Sequence, residues 1–227
     1  MIRGEIAVDV ETAELKSTES GASRRVSRGI MKALEQNQLA PGQRLVETSL
    51  AAEYRVGRNA VREAVQWLAA HGVIDITRHR SASLRHLDAA ETLDVLEVAE
   101  AIIGLLVKAA SRNYQAEAHE KRLVRALAEA EQADDDVTPG AFARARRHLY
   151  GTLLDIGGNR ELQRIFPAVG LHILLAQYRA AVPKRQSMDD FRAMAAAIAN
   201  HDVEHAHALG RAHIGRIRKA ILGQGGN

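Results

Sequence analysis

The chain has 227 residues, 46% of them apolar, enough to bury a core in one large domain or two modest ones and too many for a disordered polymer. It has no cysteine, which excludes disulfides, zinc–cysteine sites and thiol catalysis. The net charge of +3 hides a division: residues 1–20 carry two basic and five acidic side chains, residues 21–86 eleven and five, and residues 87–227 eighteen of each. Positive charge concentrated beside a neutral remainder points to a small module that meets a polyanion, attached to a partner domain. No apolar run approaches membrane-spanning length and the acidic start is unlike a signal peptide, so a soluble cytoplasmic protein is expected.

Residues 1–20, rich in Glu, Ser and Thr, lack an apolar period and read as a flexible acidic tail. A helix follows from about Ala22 to Gln36, with Val26, Ile30, Ala33 and Leu34 on one face, and Asn37 can take the left-handed conformation that ends it. "LAPGQRL" reads as a turn, and a short helix, "ETSLAAEY", starts near Glu47. The next helix, "RNAVREAVQWLAAH", runs to Gly72 with Val61, Ala64, Val65 and Leu68 in a stripe. "VIDITRHRSASLRHL" then places apolar residues on either side of the basic tip Arg78–His79–Arg80, the pattern of a two-stranded hairpin. Three helices and a hairpin over residues 21–86 make a winged helix-turn-helix. Residues 87–224 read as all-helical, with helices near 89–112, 115–133, 140–157, 159–181, 188–200 and 202–222, the last capped by Asp202.

The third helix has an unusual beginning. Its first turn is basic and holds no acid, the reverse of what the helix dipole favours. In a helix-turn-helix that end enters the DNA major groove, where Arg forks onto guanine and Asn onto adenine. Arg58, Asn59 and Arg62 are the residue types for that task, Gly57 lets the backbone approach a phosphate, and Arg44 is a further phosphate contact. Arg78, His79 and Arg80 on the wing would reach the neighbouring groove or backbone. The alternative for the helix arginines is a plain solvated face. Trp67 and Leu68 sit mid-helix and read as core.

The segment "LAPGQRLVETSLAAEYRVGRNAVREAVQWLAAHGVIDI" resembles the DNA-binding half of GntR-family bacterial regulators over residues 25–85. Pro41, Gly42, Leu45, Leu50, Ala51, Val56, Arg58, Val61, Arg62, Glu63, Ala64, Leu68 and Gly72 carry the likeness. Gly57, Ala60 and Ser81 stand where that family usually has Ser, Pro and Gly, and the lost serine hydroxyl should alter one phosphate contact. The helical remainder is similar to the FCD-type ligand-sensing domain of the family's FadR-like branch, a six- or seven-helix bundle. The similarity rests on "HLYGTLLDIGGNREL" and "AIANHDVEHAHALGRAHI".

That resemblance implies a mainly α protein, a homodimer that binds a double-stranded operator with two-fold related half-sites, more often as a repressor. It also implies an effector in the bundle. Many members of the branch hold a divalent metal there with one Asp and three His, the Asp one turn before the first His. The aligned positions are Arg144, His148, Phe191 and His213, and two of the four cannot ligate, so no metal is expected. Arg144 flanked by His148 and His213 is then expected to bind a carboxylate or phosphate effector directly, with an apolar acyl effector as a third option; His172 reads either as a further pocket residue or as a hydrogen-bonded core histidine. Against this stands a decayed pocket in which Phe191 only fills space. His201 and His205, spaced i, i+4, read as solvated surface, and the "LEVAEAIIGLLVKAA" helix is apolar enough to serve core and dimer contact. Rival readings are a metal-dependent hydrolase on the histidine-rich bundle, which needs a third ligand near His148 and His213, and an architectural DNA-binding protein without an effector.

Overall fold

The computed structural model describes residues 20–77 and 81–223. The N-terminal head is built from α1 (Gly21–Glu35), β1 (Arg44–Leu45), α2 (Glu47–Tyr54), α3 (Arg58–Ala70), β2 (Ile74–Ile76) and β3 (Ala82–Leu84). Ser20 caps α1 by accepting from the Ser23 amide, and Asn37, at φ 63°, turns the chain away beyond the helix end, as its tolerance of that conformation suggests. The Val26, Ile30 and Leu34 stripe of α1 faces Val61, Val65 and Leu68 of α3 in the buried core. α1 and α2 approach closely because Gly29 has no Cβ: one placed there would stand 2.2 Å from the Tyr54 ring. Arg55, at φ 51°, makes the tight turn between α2 and α3.

The wing differs from the expected hairpin by one strand. Pro41 and Gly42 turn the chain so that Arg44 and Leu45 pair with β3, giving the antiparallel order β1-β3-β2 with Leu45 opposite Ala82 and Ile76 opposite Ala82 on the other side. The pairing begins one step earlier, where the Gly42 amide donates to the Leu84 carbonyl at 2.8 Å and the Leu84 amide to the Gln43 carbonyl at 2.9 Å. Two residues are too few to show the alternation that marks a strand in sequence. The tip residues Arg78, His79 and Arg80 and the tail 1–19 lie outside the described residues.

The rest is helical: α4 (Ala89–Asn113), α5 (Ala116–Asp135), α6 (Ala141–Gly157), α7 (Arg160–Ile165), a 3-10 turn (Phe166–Val169), α8 (Leu171–Gln177), α9 (Lys184–Ala199) and α10 (Val203–Gly223). α4 and α10 form the central pair, brought close by Gly104 and Gly210: a Cβ on Gly210 would stand 2.7 Å from the Ile103 carbonyl oxygen. The single helix expected over 159–181 is broken in two. Pro167 has no amide to continue the hydrogen-bond ladder, and Gly170 adopts φ 79°. Asp202 does cap α10, accepting from the His205 amide at 3.2 Å. No described helix is long and apolar enough to cross a membrane.

Head and bundle meet along a polar seam. Arg179, just after α8, donates to the Leu34 carbonyl at 3.1 Å and the Glu35 carbonyl at 3.3 Å, covering the negative end of α1. Arg147 of α6 pairs with the Glu35 carboxylate at 2.9 Å. Gly140 abuts the same residue, since a Cβ there would come within 2.8 Å of the Glu35 carbonyl oxygen. Gln177 brackets Leu87 with two bonds, accepting from its amide at 3.0 Å and donating to its carbonyl at 2.8 Å.

Candidate functional site: recognition helix and bundle centre

α3 begins at Gly57 with no side-chain cap and no acid in its first turn, so its leading amides remain open to an anion. Gly57, Arg58, Asn59 and Arg62 are all exposed there, and Arg44 is exposed on β1. The opposite face, Val61, Ala64, Val65 and Leu68, is buried in the head, so the polar end points outward because the stripe fixes the rotation of the helix. Arg62 is not idle: its Nε donates to Glu47 at 3.0 Å, with the Arg62 side chain still 62% exposed. Glu63 turns away from this surface and ties α3 to the start of α1, accepting from the Ser20 amide at 2.9 Å and hydroxyl at 3.1 Å. Trp67, expected in the core, is half-buried and stacks on His71 with ring centroids 3.7 Å apart.

In the bundle the structure separates residues that were expected together. Arg144 donates to the Pro139 carbonyl at 3.3 Å, and His148 is half-exposed and donates to Glu129 at 2.6 Å. Among the described residues no hydrogen bond or ion pair links either of them to His213. His172 belongs elsewhere as well: its charged neighbours are Arg85, His71 and Arg147 near the seam, its Nε2 is buried without a partner, and burial pulls it down to about 4. The reason is helical phase. On α6 the buried stripe includes Phe142, Ala145, Leu149 and Leu153, which turns 144 and 148 outward and 146 and 150 inward. Both pairs are one turn apart, so the i, i+4 spacing by itself does not choose between them.

The side chains that do converge are Arg146, Tyr150, Phe191 and His213. His213, 1% exposed, donates from Nδ1 to Asp190 at 2.7 Å, which leaves Nε2 of the neutral ring to accept from the Tyr150 hydroxyl at 2.8 Å. Arg216 completes the chain by donating to Asp190, its Nε at 3.1 Å from Oδ2. Burial pushes the Asp190 carboxyl up, but hydrogen bonds from His213 and Arg216 outweigh it and hold the group below its ordinary value. Burial likewise holds His213 below its ordinary value, against the pull of Asp190. Burial raises the Tyr150 phenol. Phe191 fills the space between, its ring 5.3 Å from His213 and 6.0 Å from Tyr150. Arg146 lies over Phe142, 5.9 Å from the ring centroid. Arg146, Tyr150, Asp190 and Arg216 went unnoticed in the sequence; the phase of the α6 stripe was the signal that could have found the first two.

This set does not suit a divalent cation. His213 has both ring nitrogens engaged, Phe191 has no donor atom, and Arg146 brings a fixed positive charge. Among the described residues no three of His, Cys, Asp and Glu are grouped to hold a metal ion. The ligand set that a bundle hydrolase needs is not assembled around His148 and His213, which lie on different partners. His201 and His205 are exposed, and His201 turns its Nδ1 to the Ser111 carbonyl at 3.2 Å.

A winged head with an outward cationic helix, docked on a helical bundle with a polar centre, defines a DNA-binding regulator with a separate sensory domain. Comparison with known proteins makes this particular: residues 22–83 match the model of bacterial regulatory proteins, gntR family, and residues 94–216 match the FCD domain. The chain belongs to the GntR family of bacterial transcriptional regulators, in the group that carries an FCD domain. It is similar to the probable D-xylose utilization operon transcriptional repressor of Paenarthrobacter nicotinovorans, 24% identical over 88% of this chain and 89% of the relative. It also resembles the Nta operon transcriptional regulator of Aminobacter aminovorans, 22% identical over 80% of this chain and 86% of the relative. Among solved structures, E. coli McbR/YncC shares the fold with a TM-score of 0.77 at 14% identity, over 90% of this chain and 99% of the other. A GntR protein from Rhodococcus sp. RHA1 does so with a TM-score of 0.73 at 19% identity, over 90% and 99%.

Proposed function

We propose that this regulator acts in the cytoplasm as a homodimeric repressor, each head reading one half of a two-fold related operator, and that a small-molecule effector in the bundle resets the spacing of the heads. The observation that carries the reading is the open, acid-free first turn of α3, with Arg58, Asn59 and Arg62 exposed. In this reading Arg44 and Gly57 meet phosphates, and Arg78, His79 and Arg80, outside the described residues, are assigned to the flanking DNA backbone on the sequence alone. A second copy would dock on α4 along the face shared by Val98 and Leu105, which are 50% and 46% exposed. Relatives named as an operon repressor and an operon regulator support the transcriptional role.

Fluorescence anisotropy with duplex from the protein's own upstream region, against a shuffled duplex, tests this. Affinity should favour the upstream duplex and fall by about 10³-fold or more between 50 and 200 mM salt, as phosphate-bound counterions are released. Equal binding to both duplexes, or none, would remove the reading. The aromatic filling around Phe191 favours a second reading, in which the bundle only dimerises and the protein is architectural. That version predicts DNA binding indifferent to every effector tried.

A further inference from the structure

We infer that residues 1–19 are an internal competitor of DNA: their carboxylates occupy the cationic front of α3 in the free protein, and a duplex must displace them to bind.

Ser20 fixes where this segment joins the fold. Its amide and hydroxyl donate to the Glu63 carboxylate at 2.9 and 3.1 Å, and its hydroxyl oxygen accepts from the Ser23 amide at 3.2 Å. Glu63 stands one turn, about 6 Å, behind Asn59 on α3, so the chain arrives at the flank of the recognition helix. From that point a line of arginines leads to the front. Arg25 of α1 donates to the Arg55 carbonyl at 3.5 Å, and Arg55 makes the turn that leads into α3 at Arg58. Arg25, Arg55 and Arg58 are all exposed, and among the described residues none of the three has a carboxylate partner. Arg62 has one, Glu47 at 3.0 Å, so a carboxylate already sits on this surface.

The complement lies in the sequence. Residues 1–19 hold Glu5, Asp9, Glu11, Glu14 and Glu19 against Arg3 and Lys16, while residues 21–86 hold eleven basic side chains against five acidic. Carboxylates spaced along a chain offer these guanidiniums the charge that DNA phosphates would. Fully extended, the segment spans about 60 Å, roughly three times the length of α3. Its attachment at Ser20 keeps the acids at millimolar effective concentration. Exposed ion pairs are individually weak, so the contact has an intrinsic Kd on the order of 1 mM; a few millimolar of tethered acid then weakens duplex binding about three- to five-fold. The factor is the same for every duplex. It empties weakly held random sites and leaves a tightly held operator filled.

The test uses the full chain and a labelled duplex of random sequence, so it stands apart from the operator and effector readings. In one variant Glu5→Gln, Asp9→Asn, Glu11→Gln and Glu14→Gln are combined, all remote from the Ser20 anchor. At about 50 mM salt this variant should bind the duplex about three- to five-fold more tightly than the wild type, and the ratio should approach one by about 200 mM. Contact is read separately from a nitroxide on Val8→Cys, the sole thiol in a chain without cysteine. It should broaden the amide resonances of residues 57–62 more than those of the bundle. The broadening should disappear when the four acids are neutralised and when the duplex is added to the acidic chain. Affinity unchanged or lowered by neutralisation overturns the competition. A rise in affinity without charge-dependent broadening reduces the segment to long-range repulsion of DNA and overturns the contact.

Discussion

Gly210→Ala is a demanding test of how the bundle is held together. Alanine is the better helix former by about 1 kcal/mol, so on an isolated α10 the change would stabilise. In the bundle the new methyl would stand 2.7 Å from the Ile103 carbonyl oxygen and 3.1 Å from the Gly104 Cα, both backbone atoms of α4 that cannot rotate aside. To recover an ordinary contact, the helices must part by about half an ångström, and a gap of that size forfeits a quarter or more of each dispersion contact along the seam. Overpacking of this kind costs about 1–3 kcal/mol, and the α4–α10 pair is the most extensive helix contact in the protein, which places this site at the upper end. The net expectation is a loss of about 1–2 kcal/mol, or a midpoint lowered by roughly 3–6 °C for a chain of this length. Gly215→Ala on the same helix meets nothing within 4 Å and should instead raise the midpoint by about 2 °C. Calorimetry of both variants at one protein concentration checks the pair. A Gly210→Ala protein as stable as the wild type would show that the close crossing is not what the glycine is for.

Three further outcomes can be measured. Arg58→Ala should weaken operator binding by about 1–3 kcal/mol if the side chain reads a base, and should instead reduce the salt slope by about 1 if it reads a phosphate; unchanged affinity and slope would exclude both roles. Gly57→Ser should add a cap to α3 worth a few tenths of a kcal/mol, since the backbone already has the φ −72°, ψ 154° of a cap and nothing lies within 4 Å of the new Cβ; a fall in thermal midpoint would contradict the geometry. His172 stays neutral in the fold until about pH 4, while the unfolded chain takes the proton near 6.5. Stability should therefore decline as pH falls from 6.5 to about 4, by up to about 3 kcal/mol, and His172→Leu should flatten that limb relative to the wild type. Parallel pH profiles for the two proteins would assign the acid sensitivity to other groups.

Much of this was legible in the chain because periodicity and punctuation agree. Three amphipathic helices with a Pro-Gly turn and a basic-tipped hairpin specify the head, and Asn37 and Asp202 carry end signals that rest on the chemistry of single residues. What escaped was short or depended on phase. β1 has two residues, and its pairing with β3 is a tertiary fact. The break at Pro167 and Gly170 was punctuated in the sequence, yet the apolar period on either side masked it. In the bundle Arg144 and His148 share their i, i+4 spacing with Arg146 and Tyr150, and spacing alone did not reveal which pair faces inward. The buried stripe of Phe142, Ala145 and Leu149 turns Arg146 and Tyr150 inward instead, where an unbroken run of Tyr150, His213, Asp190 and Arg216 had no linear signature.

The join between head and bundle is written largely in main-chain atoms on the head's side. Arg179 grips the carbonyls of Leu34 and Glu35 and Gly140 rests on the Glu35 carbonyl, while Gln177 holds the amide and carbonyl of Leu87 where the chain passes from head to bundle. Any residue offers the same peptide groups. A foreign winged head of equal length, grafted on this bundle with an acid kept at position 35, would find most of its moorings ready, so the operator read by the protein can be exchanged without rebuilding the part that senses.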